Sequence, residues 1–288
     1  MSWAKYDLVF RLQGPLHIGW RKVSNLQQTR GYVPGKNLWA ALTARLTREA
    51  GDGAKGKAYQ DNGKALQTHF RFTYLYPAVP KDSNRVVESQ ADVAVHYPWE
   101  DDFDYLFLDS YTSTALNYPS QSAEDGLLHE TEFIAPHTRN GHPVYLSGSL
   151  YVKHVQTALP PVLENWPSAL HKLQFGGERG YGWGRVQMVN GLPLQPIAEV
   201  DQPMGETITV NERGQERSCI TAHLLANNAT GVSGPVEPLI GWERNNGDDR
   251  DKNWRLSSVS ICYAPGSVAR ADLPFKIGAN GIWEAAAP

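Results

Sequence analysis

The stretch from Leu173 to Gln187, LQFGGERGYGWGRVQ, holds the residue types most suited to chemistry. Five glycines fall within nine positions, at Gly176, Gly177, Gly180, Gly182 and Gly184. Arg179 and Arg185 add guanidinium groups, Tyr181 and Trp183 add rings, and His171 and Lys172 lie just upstream. Glycine lets a main chain come close to a ligand and present its N–H groups. A turn needs one or two such positions, so five ask for more than a turn. A P-loop would need a Gly-Lys-Ser/Thr ending between a strand and a helix, and a dinucleotide loop also follows a strand. Here a helix pattern precedes the glycines and a strand follows, which disfavours both. The composition suits a backbone cradle for a single-stranded polynucleotide. Main-chain donors and arginines would meet phosphates, and the rings would stack on bases whatever their sequence.

Other residues could do chemistry of their own. RNA cleavage without metal needs a base near a 2′-OH and an acid for the leaving oxygen, and histidine suits both near neutral pH. His17, beside Arg21 and Lys22, is the candidate; its plainer reading is a packing or hydrogen-bonding histidine. Asp52 and Asp61 lie after the first helix pattern, with solvated side chains as the default. His129, His137 and His142 lie near Glu130 and Glu132. Yet HETE is not HExxH, and a strand would alternate their faces, so no metal site and no cofactor is expected. Trp242, Trp254 and Trp283 could stack on bases, with core packing favoured for Trp254.

The elements that would position these residues follow from periodicity. Tyr6–Gln13 reads as a strand, Leu16–Arg30 as a loop, and Lys36–Ala50 as a helix with Leu38, Leu42 and Leu46 on one face. Residues 51–67 read as a loop and Thr68–Tyr76 as an aromatic strand. Residues 77–127 lack clear periods and read as an insertion, with a short strand over Tyr105–Leu108. Leu128–Ala135 and Val144–Val152 read as strands of a hairpin, joined through the Asn140-Gly141 turn signal. Pro160–Leu173 is a second helix that Pro167 should kink or shorten, and Trp183–Val189 a final strand. Without the extra pieces the order is βαββαβ, so the expected class is α+β, a ferredoxin-like (RRM-like) domain over 1–192 with the insertion at about 77–127. After a joint at Pro193–Pro203, residues 204–288 read as a smaller β-rich or second ferredoxin-like domain. Thr207–Val210, Ser218–Leu225 and Trp254–Tyr263 are its strands, and Gly231–Asp251 is turn-rich.

Composition sets bounds. The 288 residues suffice for one large or two small domains. Charged residues make up 20% and hydrophobic ones 41%, ordinary for a globular protein. No 18-residue apolar run or secretory leader is evident, and Cys219 and Cys262 have no metal-ligand spacing, so a cytoplasmic protein with reduced cysteines is expected. The net charge of −3 hides a strong polarity. Residues 1–72 carry 12 Lys and Arg against 4 acids, whereas 82–132 carry one Arg against 12 acids. The first segment suits an anion, and the second repels phosphate or meets a basic partner.

GGERGYGWGRV resembles the glycine-rich loop of the RAMP superfamily, the repeat-associated proteins of CRISPR–Cas effector complexes. Gly14–Gly19 (GPLHIG) resembles the end of their first strand, Tyr32–Leu38 (YVPGKNL) the start of their first helix, and Leu128–Ile134 with Val144–Leu150 their central hairpin. The resemblance covers residues 5–190. Tyr263–Val268 (YAPGSV) resembles a stretch near the end of the type III subunits that cap the guide 5′ end. The hundred residues after the loop also distinguish this chain from the guide-processing ribonucleases. The resemblance implies a guide RNA-binding subunit with other effector subunits as partners, target nucleic acid met through the guide, and no membrane. It implies RNA contacts from His17, Arg21, Lys22, Lys36, Lys172, Gly176, Gly177, Arg179, Gly180, Tyr181, Gly182, Trp183, Gly184 and Arg185. The alternatives that the resemblance implies are a guide-coating backbone subunit that slices target RNA with a loop aspartate, for which Asp52 and Asp61 are the candidates, or a processing ribonuclease using His17. Lys36–Ala40 lacks the family's small residues and second glycine at the helix start. The acidic insertion is expected to face a protein neighbour.

Overall fold

The structure, a computed structural model, describes residues 2–52, 56–118, 120–154, 159–212, 215–227, 229–244, 254–256, 259–270 and 273–286. The chain opens with strand β1 (Trp3–Leu12). Its Leu8, Val9, Phe10 and Leu12 are buried, and apolar cover on successive residues marks a strand enclosed on both faces. Next come β2 (Gly19–Val23) and β3 (Leu26–Thr29), an antiparallel pair turning at Ser24, whose φ is +55°. This hairpin stands where a loop was expected. Its residues are polar because β2 is exposed throughout; β3 is held by a later strand, His129–Ile134, that runs parallel to it.

Helix α1 (Gly35–Glu49) buries Leu38, Leu42 and Leu46 as their spacing requires. Helix α2 (Gly56–His69) corrects the expected loop over 51–67. Few apolar residues mark it, since its main anchors are Leu66 and a glycine: Trp39 Nε1 donates to the Gly63 carbonyl at 2.9 Å, and a Cβ on Gly63 would lie 2.8 Å from the indole. The expected strand over Thr68–Tyr76 is split into β4 (Phe70–Phe72) and β5 (Tyr76–Pro80). The chain between them presses on Gly148, whose Cβ would sit 2.5 Å from the Tyr74 carbonyl.

The acidic segment supplies β6 (Val93–Val95), α3 (Phe103–Phe107) and β7 (Leu108–Ser113), then a short hairpin of β8 (Leu116–Asn117) and β9 (Ser122–Ala123). The expected strand over Tyr105–Leu108 is mostly helix. Phe103 and Phe107 are four apart, buried, and stacked with centroids 4.9 Å apart, which is helical spacing.

Strands β10 (His129–Ile134) and β11 (Tyr145–Lys153) follow, but they do not form the expected hairpin. The Asn140-Gly141 turn closes only a small loop, Thr138 N donating to the His142 carbonyl at 2.9 Å, and the strands diverge into different sheets. The second helix is divided into α4 (Pro161–Glu164) and α5 (Trp166–Leu170), with Pro167 in the first turn of α5, where its missing N–H is tolerated. Strand β12 (Val186–Met188) ends this part and is shorter than expected because Trp183 remains in the loop.

The main sheet runs β12-β1-β11-β5-β6, with β4 also on β11, and adjacent strands are antiparallel. The class is α+β. Among the strands linked by the helix pairs, the order across the sheet is fourth, first, third, second. The largest core gathers Leu8, Phe10, Leu38, Leu42, Phe70, Phe72, Leu150 and Trp166, where α1, α2, α4 and α5 meet the sheet. A second sheet, β2-β3-β10-β7, sets the basic hairpin and the acidic strand at opposite edges.

Ala198–Val200 lies in the supposed joint yet pairs with β1, Trp3 opposite Val200. Beyond it the described strands form two small sheets, one ordered Ile208–Glu212, Gln215–Cys219, Val268–Ala269 and Val232–Ser233, the other Val236–Leu239, Ser260–Tyr263, Leu224–Leu225, Trp283–Ala285 and Phe275–Ile277, and a separate antiparallel pair, Trp242–Arg244 with Trp254–Leu256. The expected strand over Ser218–Leu225 is broken at Ile220–His223, and that over Trp254–Tyr263 is described in two pieces, Trp254–Leu256 and Ser260–Tyr263. The supposed turn-rich stretch also carries Trp242–Arg244, while its residues 245–251 lie outside the described set. Trp3, Tyr32, Tyr74, Tyr76 and Tyr151 of the first part share one core with Ile220, Leu224, Phe275, Ile277 and Trp283 of the second.

Candidate nucleic-acid interface

The glycine loop is pinned at its ends and open in its middle. Gly184 N donates to the Pro15 carbonyl at 2.6 Å, Phe175 N to Gly184 at 2.9 Å, and Gly177 N to His17 at 2.9 Å. At two positions only glycine fits. Gly176 has φ +76° and a Cβ there would sit 2.2 Å from the His17 carbonyl; Gly184 has φ +70° and its Cβ would sit 1.8 Å from the Phe175 carbonyl. Both therefore serve the protein's own packing. Gln174 steadies the interior by donating from Nε2 to the carbonyls of Trp183 at 2.7 Å and Arg179 at 3.1 Å.

Between the pins the chain turns through Arg179–Tyr181, preceded by Glu178 at φ +52°. Such a conformation is uncommon for a residue with a Cβ and marks a backbone held by its surroundings. The N–H groups of Glu178, Arg179 and Gly180 take no partner among the described residues. A Cβ on Gly180 would meet nothing within 4 Å. Gly180 thus leaves room for another molecule, unlike Gly176 and Gly184. Gly182 is also in open space but has φ +86°, so a turn requires it.

This open middle forms one wall of a cleft of about 300 Å3. The other wall is the last two turns of α1. Arg45, Arg48, Lys172 and Arg179 line it together with Gly180. One carboxylate offsets them: Glu49 Oε1 accepts from Arg45 Nη2 at 2.6 Å and from Lys172 Nζ at 2.9 Å. Those hydrogen bonds, Lys172 first, hold the Glu49 carboxyl below its usual range despite some burial. Four cations against one anion leave a net charge of about +3 around an anion-sized space.

The remaining expected residues divide into groups. His17 is buried and its Nδ1–H donates to the Glu132 carbonyl at 2.7 Å. Its own carbonyl accepts from Gly177 N at 2.9 Å, so it helps to position the glycine loop. Arg21 and Lys22 stand exposed on β2, the strand that the chain enters directly after His17 and Ile18. Arg185 is exposed at the far end of the loop, its carbonyl accepting from Gln13 N at 2.9 Å. Tyr181 is 84% exposed, a ring free to stack. Trp183 is half-buried, edge-on to Phe133 at 5.1 Å and to Tyr111 at 6.5 Å, and so joins the loop to the second sheet. Lys36 sits at the other end of α1, twelve residues or about 18 Å from Arg48. Beside it, Gly35 packs on Gly281, 2.9 Å from where a Cβ would be, so the small residue here admits the C-terminal part of the chain.

Asp61 is exposed on α2 and within 3.8 Å of Lys57, and neither it nor Asp52 lines the cleft. His129 pairs with Ser113 Oγ at 2.8 Å and His142 with Ser83 Oγ at 3.3 Å, separate partners on separate elements. Trp283 is buried against Phe275 and is core. The side chains of Trp242 and Trp254 lie outside the described residues. Arg45 and Arg48 were the contributors that sequence reasoning passed over. Their signal was the i, i+3 spacing of the pair on the polar face of an otherwise apolar-striped helix.

The arrangement sets a cluster of cations beside open backbone N–H groups on an α+β scaffold. No protein-family model matches the chain, and no curated protein matches it. Solved structures of similar architecture include a chain of the type III-B Cmr-beta complex bound to cognate target RNA and AMPPnP, at 10% identity and a TM-score of 0.46, covering 91% of this chain and 85% of that one. A chain of the same complex bound to cognate target RNA has 10% identity and a TM-score of 0.43 over 92% and 86%. One from the apo state has 9% identity and a TM-score of 0.39 over 64% and 96%. No described helix is long and apolar enough to cross a membrane.

Proposed function

We propose that this chain is a guide RNA-binding subunit of a type III-like CRISPR effector complex, holding the guide near its 5′ handle. The observation that carries RNA binding is the cleft between α1 and the glycine loop, where Arg45, Arg48, Lys172 and Arg179 surround the open backbone at Gly180. A phosphodiester in the cleft meets guanidinium groups on two sides and free N–H donors on the third. Tyr181 offers the adjoining stacking surface, and Arg21 and Lys22 extend the basic track along β2. The guide and the effector assembly enter through the resemblance of the four motifs and of Tyr263–Val268. The partners are accordingly guide RNA and neighbouring effector subunits. The role of His17 is to position the loop.

The test is binding of labelled single-stranded RNA as a function of salt, for wild type and for Arg48→Ala/Arg179→Ala. Each phosphate neutralised on a single strand contributes about 0.7 to the slope of log affinity against log salt. The double variant should therefore lower the slope by about 1.4. An unchanged slope, or wild-type binding insensitive to salt, overturns the cleft as the RNA site. RNA that comes off intact on a denaturing gel supports the binding subunit; RNA cut by wild type but not by His17→Ala would support the ribonuclease instead.

A further inference from the structure

Strand β7 ends its sheet. It pairs with β10, and no described strand pairs with its other edge. The direction of its backbone groups follows from β10. Glu130 N and Ile134 N donate away from β7, to Asn25 and Leu16, so the N–H groups of Thr131 and Phe133 face β7. Their opposites, Tyr111 and Asp109, therefore point inward. The outward pairs belong to Ser110 and Thr112. Asp109 Oδ1 accepts from Ser110 N at 2.8 Å, a local cap that Thr112 lacks.

Natural sheets guard an exposed edge with lysine, proline, a bulge or a cover. LDSYTS has none of these, and Asp109 through Thr112 are all exposed. The two faces of the edge differ. Tyr111, 59% exposed, offers an apolar contact on one, and Glu130 opposite Thr112 offers a carboxylate on the other. Asp101, Asp102 and Asp104 stand exposed just before the strand, and Glu124 and Asp125 after it. This field repels RNA and attracts cations.

We propose that the β7 edge is a docking site for an extended, basic segment of a partner protein, which adds as a fifth strand to this sheet. Main-chain bonds to the Thr112 N–H and carbonyl and to the Ser110 carbonyl provide the affinity. Specificity follows from alternation: Lys or Arg on the Glu130 face, apolar residues against Tyr111. Tyr111 touches Trp183 of the glycine loop, but Ser110 and Thr112 do not line the cleft, so a loss of peptide binding in Thr112→Pro and a loss of RNA binding in the cleft variants are separable.

The probe is a fluorescein-labelled peptide of eight residues alternating lysine and valine, titrated with the full-length protein. Controls are the same peptide N-methylated at alternate residues, which keeps its charge but cannot pair, and a glutamate–valine analogue. The variant is Thr112→Pro, which removes an outward N–H and which an edge strand tolerates. Wild type should bind the basic peptide about tenfold or more tighter than either control, and Thr112→Pro should lose about tenfold with its melting temperature and RNA affinity unchanged. Equal binding of the N-methylated peptide, undiminished binding by folded Thr112→Pro, or no binding by wild type overturns the proposal. Should Thr112→Pro not fold, Glu130→Lys takes its place, with loss of the basic peptide and gain of the acidic one expected.

Discussion

The two parts of the chain are joined by a buried charge network, and Glu237→Gln should expose its worth. The Glu237 carboxylate accepts from Arg30 Nη1 at 2.7 Å and Nη2 at 3.1 Å, from Trp20 Nε1 at 3.1 Å, and from His223 Nε2 at 2.5 Å. Tyr74 donates to His223 Nδ1 at 2.7 Å, which leaves the imidazole neutral with its proton on Nε2. Burial pushes His223 below its ordinary range, which agrees with that tautomer. Burial alone would raise the Glu237 carboxyl, but the bonds from His223 and Arg30 outweigh it and hold it at about 2. A carboxyl at about 2 instead of 4.5 corresponds to about 3 kcal/mol of stability at neutral pH. Its folded value is depressed, so the contribution is whole above about pH 4.5 and is lost as pH falls toward 2. His223 is depressed as well, so the unfolded chain takes up that proton first and stability begins to fall below about pH 6.5. At pH 7, Glu237→Gln should lower the melting temperature by roughly 6–12 °C, followed by circular dichroism from pH 3 to 8. The variant's stability should also vary less with pH below 4.5. Glu206→Gln is the control: its pair with Lys5 is exposed and worth at most about 1 kcal/mol. A Glu237→Gln loss no larger than the control's would refute the reasoning.

Gly184→Ala should cost more than about 3 kcal/mol, since its Cβ would overlap the Phe175 carbonyl, whereas Gly180→Ala should stay within about 0.5 kcal/mol of wild type while weakening RNA binding; chemical denaturation and filter binding separate the two. Glu49→Gln releases Lys172 and Arg45 into the cleft and should raise RNA affinity several-fold at low salt, read by the same titration. Cys262 is buried and its thiol is pushed up to about 11, first by burial and then by Glu237, so the native protein should resist a thiol reagent at pH 8 and react on unfolding.

The local signals that were legible in the sequence came from periods and from backbone demands. Apolar residues four apart made α1 readable, alternation and enclosure made β1 and β11 readable, and a cluster of glycines announced a backbone under special constraint. The residue types of the interface were likewise visible in Arg179, Gly180, Tyr181 and the basic run through Lys22. What the glycines do was not visible. Gly176 and Gly184 face the protein's own carbonyls while Gly180 faces open space, and only the meeting of the loop with Pro15 and His17 sorts them. Helix α2 was hidden because its anchor is a glycine under an indole, which no hydrophobic period records. The separation of β10 from β11 was hidden because a turn signal states that the chain reverses, not which strands then pair. Arg48 and Lys172 lie 124 positions apart and become one cleft only when α1 packs beside the chain that leaves α5. Sequence determines such features where the cause lies within a few residues; pairing, burial of charge and shared clefts depend on contacts between distant residues, and those the tertiary structure alone decides.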